Sequence, residues 1–286
     1  MMSEPNFLYI GTSKSGSTWI FKVLSWHPQI AMYGGKDLNF FTHDYAKGWD
    51  WYVSQFDNPD GRPVVGEVSH GYLASPEACE RIHAHLPNAK LMVCLREPVD
   101  RTFSQYLDGL KNGKMSGTLE EEIERSKSLT DRNRYGSHLE MYLERFPREQ
   151  IHIASFDELN ADPDAFAAKM FAFLGVDPLP LPPELRKKVM PAATPRIRSV
   201  AMAAKKVAKF ANAIGLSKLR GSIKKSRLVR HLLYRPFKDA EKPKISPAQS
   251  AQLRAMFTPE IQRLDRVAGT NFGSLWNYPK DGTAGG

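Results

Sequence analysis

Two glycines, Gly11 and Gly16, stand five residues apart in the stretch Gly11-Thr12-Ser13-Lys14-Ser15-Gly16-Ser17-Thr18. The same separation occurs in GxxxxGK[ST] loops, whose backbone N–H groups cradle phosphate. A loop of this composition can turn the N–H groups of Ser15, Gly16, Ser17 and Thr18 toward an anion, and a helix that starts there adds its dipole. The lysine is in the wrong place for a nucleoside triphosphate. Position 17 is serine, and the cation lies inside the loop at Lys14. From there it cannot make the usual reach from the first helical turn, so the loop suits a different phosphate ester. A kinase using ATP and Mg²⁺ is the rival reading, and Ser17 speaks against it. The chemistry requires no metal: the eight histidines lack ligand spacing. Cys79 and Cys94 form neither a disulfide framework nor a zinc cluster, and are expected to be buried free thiols in a reducing compartment.

The elements that must hold this loop alternate along the chain. Phe7-Leu8-Tyr9-Ile10 is a short apolar run, as in a buried parallel strand, and Trp19 to Trp26 has helical spacing after it. Strand, glycine loop and helix form a mononucleotide-binding unit. Further strands are expected at Val64–Val68, Lys90–Leu95 and Ile151–Phe156. Helices are expected at Pro76–Leu86, Val99–Leu110, Leu119–Ser128, Ser137–Phe146, Pro163–Leu174 with Gly175 as its C-cap, and Pro247–Ala268. This alternation predicts an α/β fold with a central parallel sheet flanked by helices. The aromatics between residues 36 and 56 are expected in the core and the cleft wall.

Charge is unevenly spread. The net +9 of the 286 residues conceals a stretch, 186–244, with 18 Lys/Arg and 2 Asp/Glu; the remainder is net negative. Such a stretch suits an anionic partner: nucleic acid, anionic lipid or an acidic substrate. Its composition between Ser199 and Leu233 is helical, and contact with an anionic membrane is one expected use. The apolar runs are strand-length, which excludes a transmembrane helix. Met1 to Asn6 lacks the layout of a signal peptide, so a cytoplasmic location is expected, peripheral at most to the inner face of a membrane.

The core Lys14-Ser15-Gly16-Ser17-Thr18-Trp19 resembles the 5′-phosphosulfate-binding loop of the sulfotransferases that use 3′-phosphoadenosine 5′-phosphosulfate (PAPS). The stretch Leu91-Met92-Val93-Cys94-Leu95-Arg96 and on to Ser104 and Tyr106 is similar to the family's second signature, a strand, an arginine and a serine eight residues later. Lys36-Asp37-Leu38-Asn39-Phe40-Phe41 and Gly66-Glu67-Val68-Ser69-His70-Gly71-Tyr72-Leu73 look like the branch that contains the heparan sulfate N- and 3-O-sulfotransferases.

The resemblance implies a P-loop-like sulfotransferase fold in a single domain over 1–280. Its parts would be a PAPS-binding core at 1–185, a basic helical insertion at 186–244, and a C-terminal helix and tail at 245–280. It implies transfer of a sulfuryl group to a hydroxyl or amine, with a carbohydrate or glycolipid as the favoured acceptor, and release of adenosine 3′,5′-bisphosphate (PAP). Ser15, Gly16, Ser17, Thr18 and Trp19 would form the loop around the donor. Lys14 would stabilise charge on the bridging oxygen. Arg96 and Ser104 would hold the 3′-phosphate, Tyr135 would help to hold the nucleotide, and Arg196 and Arg198 would return to cover the phosphate. The base is left between two candidates: Asp37, where the branch has a glutamate, and His70, which follows a strand as the histidine of the cytosolic small-molecule enzymes does. A nucleic-acid-binding module centred on 186–244 is the non-enzymatic rival, and it leaves the first 175 residues without a purpose.

Overall fold

The computed structural model describes residues 2–186 and 243–280, with the backbone alone of 193–195 and 234–236. The chain divides into two compact units, one of residues 1–102, 130–189 and 248–286, the other of 103–129 and 190–247. The strands are β1 Phe7–Gly11, β2 Ile30–Met32, β3 Val64–Val68, β4 Lys90–Leu95, β5 Ile151–Ser155, β6 Ala193–Pro195 and β7 Tyr234–Pro236. The α-helices are α1 Ser17–Trp26, α2 Trp49–Val53, α3 Pro76–His85, α4 Pro98–Lys111, α5 Leu119–Arg125, α6 Ser128–Asp131, α7 Tyr135–Leu143, α8 Phe156–Ala161, α9 Pro163–Leu174, α10 Pro247–Ala268 and α11 Phe272–Leu275.

The first unit is built on a parallel sheet in the order β2-β3-β1-β4-β5. β1 is central: Phe7 lies opposite Gly66 of β3 on one side and Lys90 of β4 on the other. Every residue of β1 and β3 is buried, which explains the unbroken apolar run of β1. Side chains alternate between the faces. Phe7, Tyr9, Met92 and Ala154 pack with Ile20 and Val23 of α1 and with Phe166 and Met170 of α9. Leu8, Ile10, Leu91 and Val93 fall on the opposite side and are equally buried, so both faces are covered. From β1 the chain passes to β2 and β3 on one side and resumes at β4 on the other. The crevice beyond the carboxyl end of β1 is therefore a topological switch point, where ligands bind in open α/β sheets.

The expected strands and long helices are present, with ends shifted by up to three residues. β2 was not anticipated, because three residues are too few to show a period. Among the aromatics, Phe40, Phe41, Tyr52 and Phe56 are core, and Phe40 stacks on Tyr52 with centroids 4.3 Å apart. Gly175 caps α9 in the left-handed conformation, φ 77°. α10 runs through Pro259. Cys79 and Cys94 are free and buried, and burial pushes the Cys79 thiol up to about 12.

In the second unit, Thr118 caps α5 in a reciprocal box with Glu121, and Glu122 accepts from the N–H groups of Ser116 and Gly117. The helical reading of 186–244 gives way at two places, where β6 and β7 pair antiparallel. Thr194 and Arg235 each precede a proline, which biases them to extended backbone. Ser199–Leu233, Arg196 and Arg198 lie outside the described residues. No helix among the described residues is long and apolar enough to cross a membrane.

Candidate active site

The loop after β1 is fastened to β4. Thr12 donates its N–H to Cys94 O at 3.1 Å and its hydroxyl to the same oxygen at 3.2 Å; Ser15 Oγ lies 2.6 Å from Thr12 Oγ1. Gly16 precedes α1 with φ 85°, and a Cβ there would come 2.5 Å from Leu159 Cδ2. Both the backbone conformation and the close approach of α8 require glycine. The first N–H groups of α1 have no partner within the helix and face the crevice end of the sheet. Lys14 is itself left-handed, φ 70°. Trp19 is buried edge-on against Phe166, and its Nε1 donates to Leu185 O at 2.5 Å.

Arg96 leaves the end of β4 and donates from a guanidinium nitrogen to Lys14 O at 3.4 Å. The two halves of the expected donor site are thus in contact. Beneath it, Tyr135 is fully buried and donates its hydroxyl to Arg96 O at 3.0 Å. Arg101, one turn into α4, is also fully buried; it donates to Asn133 Oδ1 and reaches Ser13 Oγ at 3.4 Å. Burial pushes its guanidinium below the ordinary value. Ser104 lies on the same helix, among the first residues grouped with the second unit.

The two rival bases turn out to be partners. His70 Nδ1 lies 2.5 Å from Asp37 Oδ1, and the two side chains are 30% and 32% exposed respectively. Burial acts to raise the Asp37 carboxyl. The hydrogen bond and charge of His70, together with the charge of Lys36, outweigh it and hold Asp37 below its ordinary value. A carboxylate can only accept, so Nδ1 carries a proton in this pair, and the neutral ring has its lone pair on Nε2. The pair is 33 residues apart in sequence, and the strand register closes that gap: Asp37 donates its N–H to Val68 O at 2.8 Å. Asp37 and Asn39 are both left-handed, φ 61° and 56°, a clustering of strained backbone typical of functional sites.

Three side chains with no assigned role in the sequence reading support this arrangement. Lys36 donates from Nζ to Ser17 Oγ at 3.0 Å and to Thr18 Oγ1 at 3.1 Å. Glu67 is fully buried in β3 and accepts from Tyr52 at 2.8 Å, Tyr72 at 2.9 Å and Ser69 at 2.5 Å. Ser69 Oγ in turn accepts from Asn39 N at 3.1 Å, which ties the Asp37 turn to the sheet. Burial raises the Glu67 carboxyl to about 7 against the pull of its three donors. The third is Arg101. A polar residue inside an apolar strand was the available signal for Glu67, and the basic residue beside Asp37 was the signal for Lys36. Thr12, Ser13, His70, Gly71, Arg101 and Arg132 line a small cavity at this end of the sheet. Among the described residues, no cluster of three His, Cys, Asp or Glu could hold a metal ion.

The sulfotransferase domain family matches residues 4–265. The chain is 29% identical over 210 residues to the bifunctional heparan sulfate N-deacetylase/N-sulfotransferase 1 of Caenorhabditis briggsae, covering 64% of this chain and 24% of that protein. It is 28% identical over 190 residues to the heparan sulfate glucosamine 3-O-sulfotransferase 5 of Mus musculus, covering 61% and 54%. It thus matches about half or less of the length of these relatives. Among solved structures, a sulfotransferase from Alicyclobacillus acidocaldarius shares the fold. The TM-score is 0.69 at 22% identity, over 96% of this chain and 99% of that one.

Proposed function

Because this chain belongs to the sulfotransferase family, we propose that it moves a sulfuryl group from PAPS to a hydroxyl or amine acceptor and releases PAP. The observation that carries this reading is the contact of Arg96 with the Lys14 carbonyl, with a proton-accepting pair at the same end of the sheet. PAPS supplies the sulfuryl group on a phosphosulfate anhydride. The N–H groups at the start of α1 bind the anionic end, and Lys14 stabilises the charge that grows on the bridging oxygen as it leaves. Arg96 and Ser104 hold the 3′-phosphate, with Tyr135 as the prop beneath Arg96.

His70 Nε2 takes the proton of the attacking group, and Asp37 is the positioning residue that keeps Nδ1 protonated and the ring in place. This division of labour suits the shorter side chain of Asp37, which is one methylene less than the glutamate of the resembling branch. The names of the relatives favour a carbohydrate acceptor carrying a hydroxyl or amino group.

The test is a mass-shift assay with PAPS over a panel of amino sugars and oligosaccharides. Lys14→Ala is expected to cut turnover on the order of 10²–10³-fold. His70→Gln is expected to cost roughly 10²–10⁴-fold, and Asp37→Asn less. Full loss in Asp37→Asn with a mild effect in His70→Gln would make Asp37 the base. No sulfated product from any acceptor, with no PAP bound, would overturn the reading.

A further inference from the structure

We infer that Lys36 is a second cation of the donor site, which binds the 5′-phosphosulfate end alongside Lys14 and is held in readiness by Ser17 and Thr18. The inference rests on the proposed donor reading and adds a residue to it. Its basis is the way Lys36 is placed. Two of the three N–H bonds of its ammonium point at neutral hydroxyls, 3.0 and 3.1 Å away, on the first turn of α1. The third has no acceptor among the described residues.

The surroundings oppose a positive charge there. The start of a helix carries partial positive charge, which repels an ammonium. Burial and the nearby charge of Lys14 act in the same sense, and only Asp37 acts the other way; the net effect lowers the proton affinity of Lys36. A cation set where helix dipole, burial and a like charge all disfavour it does not serve the empty protein. An anion at the loop reverses each of these terms. It neutralises the helix start, offsets Lys14 and gives the third N–H a charged acceptor. The Ser17 and Thr18 hydroxyls keep the ammonium within reach of the loop until then.

The test titrates PAP and adenosine 3′-phosphate, which lacks the 5′-phosphate, against wild type, Lys36→Met and Lys36→Arg. Lys36→Met is expected to weaken PAP roughly ten- to a hundredfold, the effect of one charge-assisted contact. Adenosine 3′-phosphate should bind as in wild type, and Lys36→Arg should retain most of the PAP affinity. The melting temperature of unliganded Lys36→Met should be unchanged or raised, since a disfavoured charge has been removed. Wild-type PAP affinity in Lys36→Met, or equal losses for both ligands, overturns the inference and leaves the donor reading intact. A wild-type protein that binds no PAP overturns the donor reading, and the inference with it.

Discussion

Gly136 lies where α7 crosses α10, and replacing it with alanine should disturb both the fold and the donor site. A methyl group there would come 2.5 Å from Glu260 O, 2.7 Å from Arg263 Cβ and 2.8 Å from Leu264 N. Two of these atoms are backbone, so no side-chain rotation relieves the contact. Restoring ordinary separation near 3.4 Å requires the helices to part by about 1 Å. Overpacking of this kind costs about 1–3 kcal/mol. The same movement stretches the grip of Glu260 on the start of α7, where its carboxylate accepts from Ser137 N at 2.9 Å and Ser137 Oγ at 2.8 Å. Weakening two bonds to a charged acceptor adds on the order of 2 kcal/mol. The total of about 3–5 kcal/mol corresponds to a fall in Tm of roughly 10 °C for a chain of this size. Tyr135 is the neighbouring residue and supports Arg96, so PAP affinity should fall as well. Thermal unfolding of Gly136→Ala, with PAP titration, is the assay. Gly34→Ala is the control, because a Cβ there meets nothing within 4 Å. A Gly136→Ala protein melting within about 2 °C of wild type, against the drop expected from overpacking, would refute the argument.

Glu67 gives a pH-dependent prediction. Its carboxyl titrates near 7 in the folded protein against an ordinary 4.5, so the fold favours the protonated form, and stability falls as pH rises between those values, by about 3 kcal/mol. Glu67→Gln should flatten that loss in urea midpoints compared at pH 5 and pH 8, and an unchanged difference would sink the assignment. His138 gives the opposite sign. Burial lowers its imidazole to about 4, and its Nδ1 has no hydrogen-bond partner among the described residues. Stability present above 6.5 is lost as pH falls toward 4, again by about 3 kcal/mol, so His138→Phe should shift acid unfolding, followed by circular dichroism, to lower pH.

The loop, the sheet and the long helices were legible because each has a strong local signature. Phe7–Ile10 and Leu91–Leu95 are apolar throughout, since strands covered on both faces have no polar side to show. What escaped notice depends on pairing across the chain. Asp37 and His70 competed for one role until the backbone bond from Asp37 to Val68 brought them side by side. Lys36 stood in a stretch noted for its aspartate, and its contact with Ser17 and Thr18 exists only because the turn after β2 returns to the start of α1. Arg101 looks like a polar residue on an amphipathic helix, and its complete burial against Asn133 could not be foreseen from spacing. The start of α7 at Tyr135 rests on a carboxylate supplied by α10, a distant residue no local pattern could reveal.

The bond from the Trp19 indole to the Leu185 carbonyl anchors the lysine- and arginine-rich stretch at its root. The residue before that stretch is thereby pinned to the helix that follows the anion loop. Cutting the indole bond while keeping the ring's packing would remove this fixed point without altering a single positive charge.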